Sequence, residues 1–205
     1  MTQWHPFFFV CLTTLCPAPS TMKPSSYNAL LLVDGYNIIG QWTALKNTRD
    51  QFGLALARQA LVESLMSYSS HQGYHTQVVF DAQYQQSPAS QEHPTPHLSI
   101  HYTAWLQTAD TFIEKRCAHY ARNHLDYPRR VIVATSDRAQ QLTVVGYGAE
   151  WMSAQILAQA IEHSRSQVKR QQRQRQRRSP KNGGWVSNLD PTVREKLSQW
   201  RYGMD

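Results

Sequence analysis

The apolar positions of this 205-residue chain fall into short unbroken runs separated by stretches with helical spacing, and three of the runs end on an aspartate. Leu30-Leu31-Leu32-Val33 leads into Asp34, Thr76-Gln77-Val78-Val79-Phe80 into Asp81, and Val131-Ile132-Val133-Ala134-Thr135-Ser136 into Asp137. A strand buried on both faces reads as such a run, so each predicts a strand of a parallel sheet. Between the first two, Leu54, Leu56, Ala57, Ala60, Leu61, Leu65 and Tyr68 recur at helical spacing until Gly73, which predicts a helix packed on the sheet. Residues 41–50 read as a polar loop, and residues 83–96, rich in Gln, Ser and Pro, as a longer one.

Leu98-Ser99-Ile100-His101-Tyr102 alternates weakly and predicts a short edge strand. Thr108 is placed to cap a helix that turns Phe112, Ile113 and Cys117 inward, with Asp110 and Glu114 four apart on one face. A helix through Leu142 and Val145 stops at Gly146-Tyr147-Gly148, which lacks the third glycine of a dinucleotide motif. Ala149-Glu150-Trp151-Met152 then reads as a last short strand, and Ser153 as the cap of a helix carrying Ile156, Leu157, Ala160 and Ile161. Strands alternating with helices predict an α/β domain whose central parallel sheet is flanked by helices on both faces. No internal repeat is visible.

Ligands of open α/β sheets bind outside the strand C-termini, so the three aspartates fall where chemistry is done. Taken singly, each is a turn former or a helix N-cap. Taken together, like charges a few ångströms apart raise one another's pKa unless a cation is present, and oxygen-rich, cysteine-poor sites suit Mg²⁺ or Mn²⁺. That equipment points to phosphodiester hydrolysis. A phosphatase-like use of Asp34 as nucleophile calls for a second aspartate two residues on, where this chain has Tyr36. The nine histidines read as ordinary surface residues.

Charge divides the chain. Its formal net charge is +7, but Arg165, Lys169, Arg170, Arg173, Arg175, Arg177, Arg178 and Lys181 lie together with no acid among them, which leaves −1 for everything else. The segment is too polar to bury a face and reads as a solvated helix extension or a disordered arm, suited to RNA or ribosome contact. Beyond Gly183-Gly184, Asp190 and Pro191 open a short helix through Trp200. Cys11, Cys16 and Cys117 are too few and scattered for a disulfide framework, which fits a reducing, cytoplasmic setting. Phe7 to Leu12 is apolar, but no cation precedes it and it is too short to span a bilayer, so no membrane is expected. Met22 is the expected start of the compact protein. The divisions expected are a disordered extension over 1–27, one domain over 28–163, a basic tail over 164–184 and a short helix over 185–205.

The stretches Leu32-Val33-Asp34-Gly35-Tyr36-Asn37-Ile38-Ile39, Val79-Phe80-Asp81-Ala82, Thr108-Ala109-Asp110 with Glu114, and Ala134-Thr135-Ser136-Asp137 resemble the NYN nucleases of the PIN-like superfamily. Within them the likeness is to the YacP-like group, which includes a ribosome-associated bacterial mRNA endonuclease. The resemblance covers residues 28–163, leaving both ends of the chain outside the shared domain. It implies a Rossmann-like PIN/NYN fold and a metal-dependent endoribonuclease. Asp34, Asp110 and Asp137 would be the metal-binding carboxylates, and Asn37 the polar group accompanying the first of them. Asp81 and Glu114 would hold metal-bound waters or orient the ligands, and Ser136 would contact a phosphate or serve only the turn. The competing reading is a non-catalytic RNA- or ribosome-binding adaptor on the same fold.

Overall fold

A computed structural model describes residues 27–81, 88–123, 130–178 and 190–202. Most of the N-terminal extension, Ala82, Lys181, the Gly183-Gly184 break and Trp185 therefore lie outside the described residues. The three aspartate-terminated runs are strands β1 (Ala29–Asp34), β2 (Tyr74–Phe80) and β5 (Val131–Ala134). With β3 (Ser90–Thr95), β4 (Leu98–Tyr102) and β6 (Glu150–Met152) they form one sheet in the order β3-β4-β2-β1-β5-β6. All neighbours are parallel except β3, which runs antiparallel to β4. Strand order reverses at β1, which pairs with β2 on one side and β5 on the other, so the crevice for a ligand opens at the C-terminal ends of β1 and β5.

Alternation along β1 explains why its apolar run is unbroken. Leu31 and Val33 face one layer, with α1 (Gly35–Gln41), α3 (Leu54–Gln72) and the start of α6 (Ala154–Arg178), through Ile38, Leu61, Leu65, Leu157 and Ile161. Leu30 and Leu32 face the other layer, where α4 (Ala109–Arg122) and α5 (Arg138–Gly146) contribute Ile113, Cys117 and Val144. Every residue of β1 is buried. Gly35 has a steric reason: a Cβ there would stand 2.2 Å from Cε1 of the buried Phe80 ring. Gly73 ends α3 in the left-handed region at φ 67°, which glycine adopts without strain.

Four expectations are corrected. Residues 41–50 are not a loop, because α1 starts directly after Asp34 and α2 (Thr43–Phe52) follows. The only buried residue of α2 is Leu45, so a nearly all-polar helix held by tertiary contact with its neighbours carries too sparse a stripe to recognise. Within 83–96, Ser90–Thr95 is an exposed edge strand, with a register shift between Glu92 and Thr95 around Pro94. That strand covers β4, which consequently lies inside the sheet rather than at its edge. Finally, His101 is not a surface residue: it is 6% exposed in β4, with its imidazole 3.1 Å from the Ser99 hydroxyl. Burial foremost, then the nearby Arg116 charge, lowers its pKa to about 4.

The helix capped by Ser153 extends without a break from the apolar layer into the basic segment, ending at Arg178. Of the two forms open to that segment, extended helix is the one adopted, and position 164 lies inside α6 rather than at a boundary. The final helix, α7 (Pro191–Tyr202), starts where Asp190 accepts the Thr192 N–H at 2.9 Å. Among the described residues no helix is long and apolar enough to cross a membrane.

Candidate functional site

Asp34 closes β1 and caps α1, its Oδ1 accepting the Asn37 N–H at 3.1 Å. Asp137 lies in the turn after the adjacent strand β5 and caps α5, its Oδ1 accepting from Ala139 N at 2.7 Å and Gln140 N at 3.4 Å. Both are therefore the N-caps their positions suggested. Each spends Oδ1 on its cap, leaving Oδ2 with no hydrogen bond among the described residues. Asp81 follows β2 and accepts the Ala109 N–H through Oδ1, which ties the end of β2 to the start of α4. Thr108 caps that helix by accepting the Thr111 N–H at 3.2 Å, and Asp110 occupies its first turn.

The four carboxylates act on one another. Asp34 is 8% exposed, and burial raises its pKa to about 7 against the opposing Asn37 N–H, with the charges of Asp110, Asp81 and Asp137 adding to the rise. Asp110 is raised by burial and then by Asp137, Asp81 and Glu114. Asp81 is raised by burial, opposed by its bond from Ala109. Asp34 is thus the buried member of an acidic cluster and Asp137 its exposed one. Glu114, one turn beyond Asp110, adds its charge to the rise in that carboxyl's pKa.

Asn37 accompanies Asp34 and makes two bonds. Its backbone N–H holds Asp34, while its side-chain Oδ1 accepts the Ser136 N–H at 2.7 Å and so locks the β1–α1 turn to the β5–α5 turn. Ser136 is occupied likewise, since its Oγ accepts the Ala154 N–H at 3.1 Å. That bond ties the β5–α5 turn to the start of α6 and leaves the Ser136 O–H able to donate. The pair determines where Asp137 stands relative to Asp34.

One polar residue of the pocket has no signal in the sequence. Gln140 is 3% exposed, and its amide lies near enough to Asp110 to offset part of the rise in that carboxyl's pKa, yet neither Oε1 nor Nε2 has a well-formed hydrogen bond. A glutamine on a short helix looks like any solvent-facing residue until the helix is placed. A buried amide without partners beside clustered carboxylates fits a hydrated cation, which would supply both charge and hydrogen bonds. The fit has a boundary. Among the described residues no three acidic, His or Cys side chains meet around one point, so Asp34, Asp110 and Asp137 are neighbours without being a closed three-ligand cage. Mg²⁺ commonly takes one or two carboxylates and keeps several waters, which suits this open arrangement.

The expected RNA-binding cations divide into two groups. Arg165 is engaged in packing: its Nη2 donates to Ser64 Oγ at 2.8 Å, joining α6 to α3, and Ser164 beside it is buried. Lys169, Arg170, Arg173 and Arg175 are exposed and make no hydrogen bond or ion pair among the described residues. Arg177 and Arg178 end the helix, and Lys181 lies outside the described residues.

A parallel sheet with an acidic crevice at its strand-order reversal defines a nuclease-like α/β domain. The model of the YacP-like NYN domain matches residues 31–202, and the chain belongs to that family. The match takes in the basic segment and α7, so the shared region extends beyond the 28–163 first assigned to it. YacP of Bacillus subtilis (strain 168) is 33% identical over 175 residues, covering 85% of this chain and 97% of the relative. The crystal structure of Rae1 (YacP) from Bacillus subtilis matches with a TM-score of 0.58 at 28% identity, covering 85% of this chain and 95% of that one. A tryptophan-to-leucine variant of the same protein matches with a TM-score of 0.60 at 29% identity, over 83% and 98%.

Proposed function

We propose that this protein is a divalent-metal-dependent endoribonuclease that cleaves RNA, with mRNA at the ribosome as its setting. The observation that carries the reading is the convergence of Asp34, Asp81, Asp110 and Asp137 from four separate segments, close enough to help hold the Asp34 pKa at about 7. Such a cluster repels phosphate unless a cation is bound. NYN domains are generally nucleases, which agrees with it. The mRNA and ribosome setting rests on the family resemblance and on the exposed cations of α6.

Mg²⁺ or Mn²⁺ would be held by Asp34, Asp110 and Asp137, some directly and some through water, and when bound supplies charge stabilisation at the phosphoryl oxygen and acidifies a water. The chain's own contribution is placement. Asp34 is fixed by the Asn37 N–H, and Asp137 is fixed against it by the bond from Ser136 to Asn37, so the two free Oδ2 atoms keep their relation without reorganising. With its pKa near 7, Asp34 exchanges a proton close to neutral pH, and a bound cation drives it to the carboxylate. The exposed cations of α6 draw the polyanion toward the domain while leaving the pocket acidic.

The competing reading is a non-catalytic RNA- or ribosome-binding adaptor on the same fold. A single experiment separates the two. The full chain is incubated with single-stranded RNA in Mn²⁺, in Mg²⁺ and in EDTA, alongside Asp34→Asn. Internal cleavage that needs metal and falls to background in a folded Asp34→Asn protein is expected. Tight RNA binding by the wild type without cleavage in either metal would select the adaptor.

A further inference from the structure

Beside the acidic pocket, where β5 and β6 end and α5 and α6 begin, lies a second cleft of about 380 Å³. Ser136, next to Asp137, lies on its wall, so the two sites share a border. We propose that this cleft is a nucleobase subsite, which holds one base of the RNA beside the scissile phosphate by stacking on Trp151. The inference rests on the nuclease reading for its RNA context, while the site itself is argued from the cleft alone.

The Trp151 indole N–H donates to the Thr135 carbonyl at 2.8 Å. Its one polar group is thereby used and its ring orientation held, yet the residue remains 36% exposed. What it offers the cleft is an aromatic face, and base–aromatic stacking is the sequence-tolerant way to hold a single-stranded nucleotide. Leu142, 70% exposed on α5, supplies apolar surface to the same cleft. Gln141 and Gln155 contribute side-chain amides that make no hydrogen bond among the described residues, each able to donate to and accept from a base edge.

The lining also argues against a phosphate in the cleft. Arg138 is its only charged residue, so a phosphate would meet one cation without a second to pair with it. The two helix starts that could have bound an anion are already capped: Asp137 accepts from Ala139 N, Ser153 Oγ from Ile156 N at 3.2 Å, and Ser136 Oγ from Ala154 N. A base therefore occupies the part of the cleft lined by Trp151, Leu142 and the two glutamines, and Arg138 is the one cation able to meet the backbone. The volume sits near the lower end of the usual 300–1,000 Å³ range for small-ligand pockets, about right for one nucleotide and too small for several.

The test follows the Trp151 indole N–H resonance of the full chain by NMR, assigned by its disappearance in Trp151→Phe. The probes are the four nucleoside 5′-monophosphates and ribose 5-phosphate. A saturable shift with nucleotides, absent with ribose 5-phosphate and weakened at least several-fold by Leu142→Asp, is expected. Leu142 is exposed enough that this substitution leaves the fold intact. No saturable shift, or an equal one from ribose 5-phosphate, overturns the subsite. On a short RNA, Trp151→Ala should raise KM by about 5- to 150-fold, the range of one lost stacking contact, and an unchanged KM also overturns it. Metal-dependent cleavage by the wild type is read separately. A chain that binds nucleotides but never cuts RNA retains the subsite and loses the nuclease, and a chain that cuts RNA without a nucleotide-induced shift does the reverse.

Discussion

The acidic end of the sheet and the basic half of α6 are the two strongly charged regions of this molecule, and they are built in opposite ways. The four aspartates are spread from position 34 to position 137 and meet only because three strands end and a helix begins at one place. Asp34, Asp81 and Asp137 are each held by at least one backbone N–H, and Asp34 is almost out of contact with water. The cations instead follow one another along a single helix, and from Lys169 to Arg175 they are exposed and make no hydrogen bond or ion pair among the described residues. In the first region burial foremost, with repulsion adding to it, lifts Asp34 to about 7, whereas in the second repulsion is screened by water. Chemistry needs fixed groups from distant parts of the chain, whereas recruitment needs only charge on an accessible surface.

If that division of labour is right, the largest effect belongs to the pocket. Asp34→Asn should reduce metal-dependent RNA turnover to background with the fold intact by circular dichroism, while RNA affinity in EDTA stays within a few-fold. Undiminished turnover would take Asp34 out of the reaction.

The next effect should be confined to binding. Replacing Lys169, Arg170, Arg173, Arg175, Arg177 and Arg178 by Gln keeps α6 intact beyond its anchor and removes six cations. With all six contacting single-stranded RNA, the slope of log affinity against log salt should flatten by about 4. Turnover of a short RNA at saturating concentration should not change. A lost turnover in the folded variant, or an unaltered salt slope, would break the comparison.

Stability should respond more modestly, and with a definite sign. Asp34 has a folded-state pKa of about 7 against 3.8 in the unfolded chain, so between those values the folded state binds the proton the unfolded state has released. In metal-free buffer this group's contribution is fully favourable below about pH 3.8 and is lost as pH rises through 7. The advantage of Asp34→Asn over wild type in chemical denaturation should therefore grow across that window by at most about 1.4 kcal/mol per pH unit. Mg²⁺ or Mn²⁺ should stabilise the wild type and not the variant. His101 works in the other direction: with a folded pKa of about 4 against 6.5, it costs stability as pH falls from 6.5 toward 4.

The smallest effect tests where the arm begins. Arg165→Ala removes the bond to Ser64 that joins α6 to α3, and should cost about 0.5–1.5 kcal/mol of stability with little change in the salt slope of RNA binding. A change in slope as large as that from losing Lys169 would return Arg165 to the RNA-binding group.

The sequence by itself determined the elements whose signal is local. Unbroken apolar runs identified β1, β2 and β5, the helical spacing before Gly73 identified α3, and Thr108 and Ser153 marked helix starts that the hydrogen bonds bear out. Aspartates at strand ends were legible for the same reason, as was the adjacency of Asp34, Asp81 and Asp137 once the strands were parallel. Tertiary structure alone decided the remainder. The helix α2 and the edge strand β3 bury too little to leave a pattern: α2 is anchored through the single buried Leu45, and β3 through its backbone pairing with β4. The buried Gln140, the packing role of Arg165, the bond from Ser136 to Asn37 and the cleft under Trp151 are all relations between residues far apart in the chain. No periodicity encodes them, because a side chain's partners depend on where two elements cross, and that depends on the packing of the whole sheet.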